Sequence, residues 1–191
     1  MAPRLGVVST VGRGRRVRLP KFGGFDIAFR GTGPGRRARP SIVADGGDMT
    51  EISRTFTVQP APATVLEYLK DFSHAEEWDP GTESCQRIDD GPVAVGSRWR
   101  NTSKIAGVST ELEYELTELD DTHVQFVGTN DTAHSTDTIT VQPHGSGSEI
   151  TYVADIQLKG AAKLATPVVK LVFEKIGSDT EDDMVQVLNR L

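Results

Sequence analysis

Strand-like segments follow one another over residues 82–159 without a helical pattern between them. Turn-forming residues divide this stretch into six segments, and apolar residues alternate with polar ones in the clearest of them. Within 110–119, Leu112, Tyr114 and Leu116 share one face, and three glutamates occupy the other. Such one-sided alternation predicts an antiparallel sheet with one covered face and one solvent-exposed face. The predicted strands are 82–90, 96–105, 108–119, 122–130, 134–143 and 147–159.

One strand and two short helices are predicted ahead of this stretch. Residues 51–59 alternate and predict a strand. Apolar residues then recur at helical spacing over 62–71, after a proline that suits a first helical turn. Ser73-His74-Ala75-Glu76 has the capping-box pattern, which predicts a second short helix that ends at Asp79-Pro80.

The element that covers the apolar face of the sheet is predicted to be a helix at the C-terminus. Thr166-Pro167 is a favourable helix start, and Gly177 or the Ser178 capping pattern could bend or break the helix that follows. Its apolar residues form one stripe: Val168, Leu171, Val172, Ile176, Met184, Val187, Leu188 and Leu191. The prediction is an α+β fold in which a curved antiparallel sheet of about seven strands wraps around one long helix. Because such a sheet rarely fills its interior completely, we expect a cavity between sheet and helix.

Charge divides the chain at the start of this pattern. Residues 1–48 carry ten Lys and Arg against three acidic residues, whereas 49–191 carry eleven against 24. The first segment is rich in Arg and Gly and is predicted to be a disordered tail, since it cannot bury enough apolar surface to fold. It suits an organelle transit peptide, a nucleic-acid-binding arm or an untranslated leader. A start at Met49 is favoured, because Asp45-Gly46-Gly47-Asp48 can be encoded by a purine-rich ribosome-binding sequence.

Composition excludes several classes of protein. No apolar run approaches the length of a transmembrane helix, so stable membrane insertion is not expected. The single cysteine, Cys85, excludes an internal disulfide and a cysteine-based zinc cluster. The acidic excess of 49–191 argues against nucleic acid as a partner of the folded domain. We therefore expect a cytoplasmic protein without cofactor or metal, and the sequence does not indicate its oligomeric state.

The ordered pattern resembles a known superfamily. The segments that carry the resemblance are VQPAPATVLEYLKDFSHAEEWDP at 58–80, GPVAVGSRWR at 91–100, LEYELTELDDTHVQFVG at 112–128, DTITVQPHGSGSEITYVADIQLKG at 137–160 and TPVVKLVFEKIGSDTEDDMVQVL at 166–188. Together they look like the START-like helix-grip superfamily (SRPBCC), in its bacterial polyketide cyclase/dehydrase and lipid-transport-like branch. The resemblance covers nearly all of 49–191. It implies a helix-grip fold with a hydrophobic cavity for a lipid, polyketide or similar apolar molecule, and it implies no particular reaction.

Candidate cavity residues follow from the predicted inward faces. They are Trp78, Trp99, Leu112, Tyr114, Leu116, Tyr152, Ile156, Val168, Leu171 and Val172. Aromatic side chains supply a large contact area with one polar tip. Core packing of the two tryptophans, and structural hydrogen bonding of the two tyrosines, are the competing interpretations.

The sequence offers no convincing catalytic constellation. Arg98 and Arg100 flank Trp99 and are predicted to point toward solvent. No orienting carboxylate is evident for His123, and nothing supplies the positive field that would activate Cys85. His74 and Glu77 are too few to specify a metal site.

The predicted function is the binding of a hydrophobic small molecule, as carrier or sensor. One alternative is a polyketide cyclase/dehydrase-type enzyme. That function would need polar groups to converge in the cavity, and Arg100, His123, His134 and Tyr152 are the candidates. The other alternative is a protein-interaction module, which an exposed apolar patch would favour.

Overall fold

Seven strands and three α-helices make up the part of the chain that the structure describes. This computed structural model describes residues 49–105 and 107–191, with the backbone alone at 105 and 164–170. The prediction for residues 1–48 lies outside the described residues. The elements, in chain order, are β1 (Met49–Val58), α1 (Pro62–Leu69), α2 (Ala75–Trp78), β2 (Thr82–Arg87), β3 (Arg98–Ile105), β4 (Val108–Leu119), β5 (His123–Thr129), β6 (Ala133–His144), β7 (Gly147–Leu158) and α3 (Thr166–Leu188). Two 3₁₀ turns, Phe72–His74 and Gly160–Ala165, precede α2 and α3.

All seven strands form one antiparallel sheet in the order β1-β7-β6-β5-β4-β3-β2. Neighbours from β2 to β7 are successive in the chain, as expected of strands joined by short turns. The exception is β1, which pairs with β7 along its whole length, so that Ile52 lies opposite Ala154 and Arg54 opposite Tyr152. The predicted seven-stranded curved sheet with a long C-terminal helix is confirmed.

The entry to α2 differs from its predicted form. A 3₁₀ turn begins at Phe72, and its cap is Asp71, whose carboxylate accepts the backbone N–H of Ser73 at 3.0 Å. The capping box predicted for Ser73-Glu76 is therefore wrong. Glu76 instead accepts the backbone N–H of Cys85 at 2.6 Å and ties α2 to β2. The Glu76 carboxylate thus bonds to the backbone of β2 and not to the start of its own helix.

An aromatic core fills the space between the short helices and the sheet. Phe72 stands edge-on to Trp78 and Trp99, with ring centroids 6.0 and 6.4 Å away, and lies 4.5 Å from the Phe126 ring. Trp99 is fully buried, and its indole N–H donates to Asp71 and Ser73 at 3.1 Å each. The same buried core includes Met184 and Leu188 of α3.

Helix α3 is continuous through Gly177 and Ser178, so the long C-terminal helix is confirmed and the possible break at Ser178–Glu181 does not occur. Glycine is used here for close approach, because a β-carbon at 177 would lie 2.7 Å from Ile52 Cγ2. The buried Arg54 of β1 donates to the Glu174 carbonyl at 3.1 Å and holds the same turn of the helix. These contacts fix how α3 is rotated against the sheet.

Candidate functional site

A cavity of about 510 Å³ lies between the sheet and α3. Its walls come from β1, β3, β4, β6, β7 and one face of α3. The apolar part of the lining includes Ile52, Leu112, Ala154, Ile156, Phe173 and Ile176. This volume is within the range of pockets that enclose small organic ligands, and the apolar lining suits a molecule that is mostly hydrocarbon.

Four of the ten candidate cavity residues line this space: Leu112, Tyr114, Tyr152 and Ile156. The first two come from β4 and the last two from β7, on the faces that the alternation predicts. Tyr114 lies over Gly128 of β5, its direct cross-strand partner, where any β-carbon would collide with the phenol ring. Whether these side chains contact a ligand stays a prediction.

Three other candidates belong to the aromatic core. Trp78, Trp99 and Leu116 are almost fully buried, and none is part of the cavity lining. Trp99 and Leu116 follow the inward parity predicted for their strands, and Trp78 ends α2; all three belong to the buried core that also includes Met184 and Leu188 of α3. Parity specifies the face of a strand and not the layer that packs on it, so core packing is the placement the structure gives these residues.

Two of the three candidates on α3, Leu171 and Val172, are not part of the cavity lining. Leu171 is 74% exposed, and Val172 is half-buried outside the cavity. The side chain of Val168 lies outside the described residues. Instead, Phe173, Ile176, Gly177 and Thr180 face the cavity, at the spacing of one helical face. The sequence pattern assigns Leu171 and Leu191, which is 50% exposed, to the apolar stripe of this helix. Their exposure shows that they are not part of its buried face.

A buried carboxylate forms the centre of a polar cluster in the cavity wall. Asp137 of β6 is 5% exposed and accepts the Tyr152 hydroxyl at 2.7 Å and the Ser135 hydroxyl at 2.9 Å. The Tyr114 hydroxyl interacts with the same two β6 residues. Burial raises the pKa of Asp137 to about 6, against the lowering effect of these hydroxyls.

Sequence reasoning missed Asp137, although a signal existed. Ser135 and Asp137 have the parity of Ile139 and Val141, which are buried on the inner face. An acid on an apolar face is an informative exception, because a buried charge needs partners or a shifted pKa.

A second carboxylate, Asp79, reaches the cavity from the loop after α2. It accepts the Gly81 N–H at 2.9 Å and the Thr82 hydroxyl at 2.7 Å. Burial raises the pKa of Asp79, and the nearby Asp183 adds to this effect. The negative charge of Asp79 is also one of the causes of the raised pKa of Asp137.

The polar candidates outside this cluster lie elsewhere. Arg98 and Arg100 are about half exposed and pair with Glu113 and Glu111, which confirms their solvent orientation. His134 does not line the cavity. Of the four groups that an enzyme would need to bring together there, only Tyr152 is present.

His123 has the carboxylate partners that the sequence did not reveal. Its ring nitrogens lie 2.9 Å from Glu118 and 3.0 Å from Asp120, at the turn between β4 and β5. Hydrogen bonding to Glu118 raises the pKa of His123. This group lies away from the cavity lining.

Cys85 is buried, and burial raises its pKa to about 12, so the thiol is not activated. Among the described residues, no group of three His, Cys, Asp or Glu side chains is arranged to hold a metal ion.

Comparison with known proteins identifies the family. The model for "Polyketide cyclase / dehydrase and lipid transport" proteins matches residues 49–190. The chain belongs to this family. No curated protein sequence matches the chain. Within the part of the chain that the structure describes, every helix is too short or too polar to cross a membrane.

Solved structures share the fold of this family member. The aromatase/cyclase Zhui from Streptomyces sp. R1128 superposes with a TM-score of 0.63 and 16% identity, covering 74% of this chain and 94% of its own. A START superfamily protein from Mycobacterium smegmatis gives 0.61 and 14% identity, with 73% and 97% covered. A STAR-related lipid transfer protein from Xanthomonas axonopodis gives 0.56 and 13% identity, with 78% and 98% covered. At these identities the likeness concerns the fold alone.

Proposed function

We propose that this protein binds a mostly apolar small molecule in the cavity between the sheet and α3, as a carrier or sensor. The observation that carries the proposal is the cavity itself, with its volume of about 510 Å³ and its apolar walls. Membership of a family named for polyketide cyclase/dehydrase and lipid transport proteins supports it. The acidic excess of residues 49–191 favours a small molecule over nucleic acid as the partner.

Filling the cavity should abolish binding. Ala154 is buried in the cavity wall, opposite Ile52 on one side and Asp137 on the other. In Ala154→Phe, the new ring would occupy space that the ligand needs. We expect the full chain to enhance the fluorescence of the neutral apolar probe N-phenyl-naphthylamine, and Ala154→Phe to weaken its binding at least about tenfold, a change of about 1.4 kcal/mol.

The matched control adds the same ring to the same strand outside the cavity. Gln157 of β7 is exposed, so Gln157→Phe should bind the probe as the wild type does. Circular dichroism spectra would establish that both variants fold. Equal probe binding by the wild type and a folded Ala154→Phe variant would contradict the proposal.

A cyclase/dehydrase-type enzyme is the second candidate, and the Asp137–Tyr152 pair is the observation that favours it. A buried carboxyl with a pKa raised to about 6 can exchange a proton near neutral pH. In the dehydration of a β-hydroxy ketone, it would remove the α-proton and return a proton to the departing hydroxyl, giving an enone and water. Tyr152, whose pKa burial raises well above its usual value, would remain a neutral hydrogen-bonding group.

The enzyme proposal can be tested with a β-hydroxy-ketone thioester of N-acetylcysteamine. Catalysis would appear in mass spectra as the loss of one water, and Asp137→Asn should reduce the rate at least about a hundredfold, the lower end of general acid–base contributions. Asp155→Asn removes a carboxylate from the neighbouring β7 position outside the lining and should leave the rate unchanged. Water loss at the uncatalysed rate, with the probe still bound, would leave binding as the function.

A further inference from the structure

The charged side chains in the described part of the cavity lining are both acids. Among the described side chains of the lining, Asp79 and Asp137 are carboxylates, and none is a lysine, arginine or histidine. Arg54, the cation beside Gly177, is already engaged by the carbonyl of Glu174, the hydroxyl of Ser178 and the carboxylate of Glu181. Neither cavity carboxylate forms an ion pair with a described side chain. A ligand anion would therefore meet like charge, without a compensating cation among the described side chains of the lining.

Four of the seven hydroxyl groups in the described lining donate their protons to the protein. Tyr152 and Ser135 both donate to Asp137, at 2.7 and 2.9 Å. Ser103 donates to the amide oxygen of Asn101 at 2.6 Å, and Thr132 donates to that of Asn130 at 3.0 Å. A hydroxyl has one proton and two lone pairs, so these four groups can offer a ligand only acceptor sites.

The charges and the hydrogen bonds of the cavity thus both favour a ligand group that donates hydrogen bonds. The carboxylates are acceptors when ionised, and the surrounding hydroxyls use their protons to satisfy them or neighbouring amides. A ligand hydroxyl or ammonium group could donate to these oxygens. A ligand carboxylate placed against Asp137, Tyr152 and Ser135 would find no free donor among them, and would lose hydration there without replacement.

Resting on the proposed function, we propose that the cavity selects amphiphiles whose polar group donates hydrogen bonds, an alcohol or an ammonium, and rejects carboxylates such as fatty-acid anions. The polar group would lie against the Asp137–Tyr152–Ser135 cluster. The hydrocarbon portion would lie against the apolar walls from β4, β7 and α3.

Three ligands that share the same ten-carbon chain and differ in the polar group isolate the effect of that group. Decanol, decylammonium and decanoate would compete with N-phenyl-naphthylamine for the full-length protein at neutral pH, below their micelle concentrations. We expect decanol and decylammonium each to displace the probe at concentrations at least about tenfold lower than decanoate, equivalent to about 1.4 kcal/mol. Decanoate binding as tightly as the other two would overturn the proposal.

Asp137→Asn tests the assignment to this cluster. The variant removes one negative charge and introduces an amide N–H that can donate, so the preference over decanoate should shrink at least about threefold. Asp155→Asn removes the same charge from the face of β7 that points away from the cavity. This variant should retain the wild-type preference for decanol and decylammonium over decanoate. An unchanged preference in Asp137→Asn would overturn the assignment. Failure of the probe itself to bind would instead contradict the proposed function, so the two failures are distinguishable.

Discussion

Trp99→Ala is expected to destabilise the domain by about 3–5 kcal/mol, which is the cost of truncating a large aromatic side chain in a packed core. Trp99 is 0% exposed and packs edge-on against Phe126, with ring centroids 5.7 Å apart. Its indole N–H also links β3 to the turn before α2 through Asp71 and Ser73. The substitution would leave a cavity and remove a hydrogen bond from each of these two acceptors.

Urea denaturation followed by circular dichroism would measure this loss. The matched control is Arg100→Ala on the same strand, because the Arg100 side chain is 57% exposed and points to the other face. A surface change of this kind should alter the free energy of unfolding by no more than about 0.5 kcal/mol. Similar values for the two variants would show that the aromatic core does not hold the short helices to the sheet.

The second large effect is a pH dependence that originates at Asp137. Burial raises its pKa to about 6 from an ordinary value of 3.8, so the folded protein binds this proton more tightly than the unfolded chain does. The resulting stabilisation is fully present below pH 3.8 and is lost as the pH rises through about 6. The difference between the two pKa values corresponds to about 3 kcal/mol.

Comparison with Asp137→Asn separates this contribution from those of other titrating groups. Asparagine does not titrate, so the stability of the wild type relative to this variant should fall by about 3 kcal/mol between about pH 3 and pH 8. Asp131 lies at an exposed turn position. The plot of stability against pH for Asp131→Asn should therefore run nearly parallel to that of the wild type. Parallel profiles for the wild type and Asp137→Asn would contradict the raised pKa.

The sheet could be predicted from the sequence because alternation is a local property. Leu112 and Tyr114 face inward because a strand reverses side-chain direction at each residue, whatever the rest of the fold does. The resemblance to known proteins added the arrangement of helix and sheet, and the family match supports it.

The cavity lining could be predicted only in part, because it depends on contacts between distant segments. The approach of Gly177 to Ile52 and the contact of Arg54 with Glu174 set the rotation of α3, and turn Phe173 rather than Leu171 toward the sheet. In the same way, only the folded register places Asp137 beside Tyr152. The alternation of side chains along β6 places Asp137 on the inner face. It does not identify the Tyr152 hydroxyl as the group that donates a hydrogen bond to this acid.

The pairing of β1 with β7 has a consequence for how the chain reaches this fold on the ribosome. The first strand of the domain, Met49–Val58, finds its partner only when Gly147–Leu158 has been synthesised. Until then, its backbone donors and acceptors have no strand to pair with. Pairings across such long sequence separations slow folding, because the loop entropy is lost before the contact is gained. Closure of the sheet edge is therefore a late step, and the ligand cavity, whose walls include both strands, is completed with it.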